Sequence, residues 1–226
     1  MKFERMFVYL MILVFALSLT AVCEDEKTAK EWYMMYLGET DAEKKIEYLT
    51  RVLKLKPDRA FSYYQRGREY VTLGMYDEAL ADFSTAIELD PEDSSSLVLR
   101  GEIYHLLSDN DRALEDANRA LDDEPTAPGA LMLRADIYRE LERYDEALAD
   151  LEIVFKSSPE FACSEQWYYT RAGIYRDMGD VEKAIADMKL ICESKYYEHH
   201  DEACAYLEEL CNSGVEAACT ALENLE

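Results

Sequence analysis

The chain has 226 residues and a formal net charge of −24, from 48 acidic and 24 basic side chains. Nucleic-acid binding needs a basic face, so this balance excludes it. The acidity is first a solvated surface that aids solubility, and it also allows steering of basic partners.

The first segment reads "MKFERMFVYLMILVFALSLTAVCEDE". Lys2 and Arg5 precede an uncharged run from Met6 to Cys23, and Glu24, Asp25 and Glu26 follow at once. That is the layout of a secretory signal over 1–23, with Ala21 and Cys23 at the small-residue positions. Two other readings stand beside it: an uncleaved anchor at the short limit of a spanning helix, and a lipoprotein signal acylated at Cys23. All three carry the rest of the chain out of the cytoplasm, with any membrane contact made only through this segment. Residues 1–23 hold Lys2, Arg5 and Glu4, a net of +1, so the remainder carries −25.

Beyond it the chain repeats itself. "GMYDEALADF" from Gly74 and "ERYDEALADL" from Glu142 share YDEALA and lie 68 residues apart, and "DNDRALEDAN" sits halfway. Pro57, Pro91, Pro125 and Pro159 follow at intervals of 34, as do Arg66, Arg100 and Arg134; Arg171 comes 37 later, after three extra residues within "SPEFACSEQW". A fixed period of this length signals stacked supersecondary units.

Within the unit from Ala60, Tyr63, Tyr70 and Leu73 recur at helical spacing, and Ala79, Leu80, Phe83, Ala86, Ile87 and Leu89 do so again. Gly74 can end the first helix in the left-handed conformation. Asp77 can cap the second. Asp90-Pro91 ends the unit, because proline disfavours helix in the residue before it. Each unit is therefore a helical hairpin. Gly67, Gly101, Ala135 and Ala172 are equivalent, as are Ala79, Ala113, Ala147 and Ala184. A mid-helix glycine costs roughly 1 kcal/mol against alanine, so its use points to close backbone approach. Tyr70, Tyr104, Tyr138 and Tyr175 are expected to pack into the next layer.

Gly67, Tyr70, Gly74, Tyr76, Ala79, Phe83, Ala86 and Pro91 together resemble the tetratricopeptide repeat. The resemblance covers about 170 residues. It implies an all-α, right-handed superhelical solenoid of antiparallel helix pairs in 34-residue repeats. The repeats are placed at 60–93, 94–127, 128–161 and 165–195, after a degenerate repeat at 26–59 with Tyr33 and Lys45 where small residues belong. The repeat domain thus spans 24–195, and residues 196–226 form a C-terminal helical cap.

Each good unit also carries an acid 16 residues after its arginine: Asp82, Asp116, Asp150 and Asp187. An anion site or catalytic array could use such a ladder. Buried charges need partners, so Arg66, Arg100, Arg134 and Arg171 are read as framework ion pairs, bidentate, within or between neighbouring units. In the family, the first helix of each unit lines a concave groove. The resemblance therefore points to Tyr64 and Arg68, then Val98, Glu102 and His105. It continues to Met132, Asp136 and Arg139, then Tyr169 and Arg176. One subset of the family grips a C-terminal carboxylate through Lys and Asn; here Tyr64, Arg68 and Leu99 stand at those places, so that clamp is not expected.

Five cysteines follow residue 23, four of them within 192–219. A single helix would hold Cys211 and Cys219 about 12 Å apart, but the Asn-Ser-Gly turn in "CNSGVEAAC" folds two helices back so that the sulfurs can meet. This pattern resembles the disulfide-tied helical repeats of secreted, cysteine-rich bacterial proteins. The resemblance implies a Cys211–Cys219 bond, with Cys192 and Cys204 tying the last repeat to the cap and Cys163 left over; reduced, buried cysteines are the alternative. In "YYEHHDEAC", His199 and His200 are adjacent and point in different directions on a helix, so the stretch is read as a helix start capped near Asp201 and not as a metal site. The chain has no phosphate-binding glycine loop and no nucleophile–base–acid arrangement. The expectation is a non-enzymatic scaffold for a protein or peptide, without cofactor or metal. An envelope-associated lipoprotein adaptor in membrane or secretion assembly is the alternative, and an enzyme or enzyme inhibitor a remoter one.

Overall fold

The computed structural model describes residues 27–157, 165–193, 195 and 197–225. Over these it holds twelve α-helices and no strand, and no helix is long and apolar enough to cross a membrane. The three readings of 1–23, Cys163, and most of the insertion before the last repeat lie outside the described residues. The helices fall into two compact units, one ending at Pro91 and one beginning at Glu92.

In the first unit, α1 (Ala29–Leu37) and α2 (Ala42–Leu55) form the degenerate hairpin, and α3 (Ala60–Thr72) and α4 (Tyr76–Leu89) the next. Thr28 starts α1 with a reciprocal cap: it accepts from the Glu31 amide, and the Glu31 carboxylate accepts from the Thr28 amide. The two large residues of the degenerate repeat are accommodated by partners. Lys45 donates to Glu69 at 3.1 Å, and Arg59 lies over the Tyr33 ring at 4.3 Å. Gly67 shows why a small residue recurs in α3, since a Cβ there would come within 2.8 Å of the fully buried Phe83 ring. Asp77 does not cap α4. The cap position is Met75, without a side-chain bond, and Asp77 lies in the first turn, where its charge faces the positive end of the helix.

The second unit stacks α5 (Ser94–Leu106) with α6 (Asn110–Asp123), α7 (Pro128–Glu140) with α8 (Tyr144–Ser157), and α9 (Glu165–Met178) with α10 (Val181–Cys192). Every hairpin of the two units that follows the 34-residue pattern turns through a positive φ at one equivalent position: Gly74 (70°), Ser108 (60°), Glu142 (58°) and Gly179 (79°). A Cβ on Gly101 would meet Leu133 Cδ2 at 2.7 Å, across to the following hairpin. Tyr104 packs against the buried Ala113, Ala117, Leu133 and Ile137, while Arg112 covers its ring at 4.2 Å.

Helices α11 (His200–Asn212) and α12 (Glu216–Glu223) close this unit, joined by a turn at Gly214 with φ 94°. Leu207, Ala218 and Ala221 join Ile185, Met188, Ile191 and Cys192 of α10 in one buried cluster; Tyr206, Leu210, Val215, Leu222 and Leu225 pack around it. Asp201 is not the cap of α11. His199 holds that place without a side-chain bond, and Asp201 sits in the first turn.

Candidate partner-binding cleft

The ladder forms inside each hairpin. Arg66 donates from Nε and Nη2 to Asp82, both at 2.7 Å. The same two-pronged contact joins Arg100 to Asp116, Arg134 to Asp150 and Arg171 to Asp187, at 2.6–2.8 Å. All four aspartates are buried. The third prong adds links to the preceding hairpin: Arg66 Nη1 donates to Thr50 and Arg134 Nη1 to Asn118. These charges are spent on holding helix to helix and are not presented to a ligand.

A cleft of about 360 Å³ opens on the first-helix side of the second unit. Three successive first helices supply it: His105 from α5, Asp136, Arg139 and Glu140 from α7, and Asp177 from α9. Arg139 donates from Nε to Asp177 at 2.7 Å. Its guanidinium lies against Gly173, where a Cβ would come within 2.6 Å of Nη1. His105 Nδ1 is 3.0 Å from Asn110 Oδ1, and Nε2 is 3.7 Å from Glu140 Oε1. Asn110 donates on to Glu140 at 3.3 Å.

Asp136 is half-buried, less so than the four ladder aspartates, and no arginine fork grips it. Burial pushes its pKa up from the ordinary 3.8 to about 6, the Glu140 charge adds to this, and His105, Arg139 and a hydrogen bond with Thr170 offset only part. Glu102, one turn before His105, is also raised, by loss of hydration and by Asp136. A withdrawn, poorly compensated carboxylate in a cleft is a mark of a working site.

Of the groove positions inferred from the family, His105, Asp136 and Arg139 line this cleft and Glu102 adjoins it electrostatically. Arg176 stands 3.8 Å from Asp177. Val98 and Met132 are half-buried on the same helices, and Val98 Cγ1 lies 3.5 Å from a Cβ placed on Gly129. Tyr169 is drawn to the cap instead: it stacks on His199 at 4.0 Å and donates to Glu202 at 2.9 Å. In the first unit, Arg68 lies 5.8 Å over Tyr64, whose ring stacks with Phe61. The residues missed are Glu140 and Asp177. Glu140 is four residues after Asp136, on the same helix face, which is the signal that would have found it.

A second hollow, about 470 Å³ between α8 and α9, is bordered by Arg171 and Tyr175 of the framework. At the cap, Cys192 and Cys204 lie at disulfide distance with Cα atoms 5.2 Å apart, and so do Cys211 and Cys219 at 4.7 Å. The adjacent histidines diverge: His199 turns to Glu165 at 3.0 Å, and His200 approaches Cys204 Sγ at 3.8 Å. Cys192, His200 and Cys204 gather three potential metal donors. With the two sulfurs joined to each other, those sulfurs are not available to an ion.

The comparisons with known proteins agree with this architecture. A tetratricopeptide repeat model matches residues 64–129, 107–160 and 132–195, more than half of the chain. No curated protein matches. Among solved structures, a tetratricopeptide repeat protein from Parabacteroides merdae is 20% identical, covers 87% of this chain and 78% of its own, and superposes with a TM-score of 0.69. MamA from Desulfovibrio magneticus is 17% identical, covering 72% and 93%, with a TM-score of 0.64. YrrB, described as a TPR protein with an unusual peptide-binding site, is 22% identical, covering 67% and 77%, with a TM-score of 0.54. These likenesses concern the fold; the matched repeats make this chain a member of the tetratricopeptide repeat family.

Proposed function

We propose that this chain is an exported, non-enzymatic scaffold that binds a protein or peptide along the first-helix face of its repeats. The observation that carries the reading is the cleft, where first helices from three successive repeats bring His105, Asp136, Arg139, Glu140 and Asp177 together. The four arginines with the repeat's sequence signature are consumed by the framework, whereas the cleft residues vary from repeat to repeat, as a recognition surface requires. YrrB lends analogy, since a peptide-binding site is described for that relative of the same fold. Export is supported by the uncharged run from Met6 to Cys23 and by two cysteine pairs at disulfide distance, a chemistry of oxidising compartments. Tagged protein expressed in the source cells tests the reading. A partner retained by wild type and by Ala149→Glu, on the exposed side of α8, and lost by Met132→Glu is expected. Equal loss through Ala149→Glu contradicts it.

A further inference from the structure

We propose that the cleft between α5, α7 and α9 seats a lysine or arginine side chain of the partner, with Asp136 as its counter-ion. This rests on the scaffold reading above and names the chemistry of its ligand.

Asp82, Asp116, Asp150 and Asp187 are buried and each is gripped by an arginine fork. Asp136 is half-buried, and among the described residues no cation stands at salt-bridge distance from it. Partial loss of hydration disfavours the charged form of a carboxylate that has no cation beside it. A guanidinium or ammonium from outside would supply what the ladder arginines supply to the other four.

The surroundings suit such a guest. Around Asp136 stand Glu102 and His105 on α5, Arg139 and Glu140 on α7, and Asp177 and Arg176 on α9. Arg139 is held by Asp177, and Arg176 lies beside the same carboxylate. The four carboxylates Glu102, Asp136, Glu140 and Asp177 thus outnumber the two arginines. The hollow, about 360 Å³, has room for the end of a long side chain. A bare metal ion fits less well: among the described residues only the cap cysteines and His200 bring three donor atoms close together. An incoming anion would meet the unpaired carboxylates. The net charge of −24 would draw a basic partner toward the surface before docking.

Proton uptake sets the pH response. As pH falls through about 6, Asp136 becomes neutral. That weakens the hold on a cation, so affinity falls with acidity.

The test uses the full chain with three fluorescent nonapeptides, (Ala-Arg-Gly)3, (Ala-citrulline-Gly)3 and (Ala-Glu-Gly)3, followed by anisotropy. The arginine peptide is expected to bind at pH 7.5 and the other two at least tenfold more weakly. Asp136→Asn should weaken the arginine peptide at least tenfold. Asp122→Asn, which removes one charge from exposed α6, should change it less than twofold. Lowering the pH from 7.5 to 5 should weaken wild type several-fold and leave Asp136→Asn nearly flat. Equal effects of the two substitutions, equal binding of the citrulline peptide, or no binding of the arginine peptide overturns the proposal. A native partner still lost through Met132→Glu would then leave the scaffold reading standing, and its absence would remove both.

Discussion

Gly101 stands where α5 has least room. A side chain there would collide with Leu133 and press on the Ala113 carbonyl. Gly101→Leu is expected to destabilise by about 1–3 kcal/mol, measured by thermal or urea melts, through overpacking. That glycine was legible from the period alone, because a helix tolerates it only for a packing reason. Asp136 was legible only as a groove position. Its partial burial depends on how three helices converge, which no local pattern records. The same partial burial makes a testable pH effect. The folded pKa of about 6 exceeds the ordinary 3.8, so the folded chain holds the proton between them and stability falls as pH rises through that window. Asp136→Asn is expected to raise stability at pH 7 by about 1–3 kcal/mol and to give no gain at pH 4. A destabilised Asp136→Asn at pH 7 would show that the carboxylate is well paired.

At the scale of the hairpin, two features recur and differ in how plainly the sequence displays them. The Arg–Asp ladder is visible as a spacing of 16, and its geometry falls within each hairpin. Arg134→Met should cost about 3–5 kcal/mol by leaving Asp150 buried and unpaired. Adding Asp150→Leu should recover most of that loss, a sign change that a double-mutant cycle reads directly. The turn is less visible. Gly74 and Gly179 announce the left-handed residue, but Ser108 and Glu142 occupy the same conformation with a side chain. Left-handed backbone costs a non-glycine residue roughly 1–2 kcal/mol, partly offset by the freer unfolded state of glycine. Glu142→Gly is accordingly expected to stabilise by about 0.5–1 kcal/mol, and a lower melting temperature would contradict that account. Asp77 and Asp201 each lie two residues past the observed cap: so small a shift at a helix start turns a cap into a first-turn charge, and sequence spacing does not resolve it.

For the whole molecule, the cap is the element that ends the stack. The last regular hairpin would otherwise present Ile185, Met188 and Ile191 to water, and α11 and α12 cover them. A chain stopped at Lys195 should aggregate or lose its cooperative melt, whereas a soluble, cooperatively folding truncation would remove the cap from the account. The cysteine pairs tie loops of 12 and 8 residues. Reduction should therefore cost about 2–4 kcal/mol in melts with and without a thiol. The repeat architecture was legible from one period of 34; the identity of the binding surface was not, because it is a property of neighbouring repeats taken together. The direct measurement is site-specific photo-cross-linking in the source cells. A benzophenone side chain is placed at Val98 or Met132 on the first helices, or at Glu115 or Ala149 on the second helices. The account predicts partner adducts from Val98 and Met132 and none from Glu115 or Ala149. Adducts from the second-helix positions, with silence at Val98 and Met132, would contradict it.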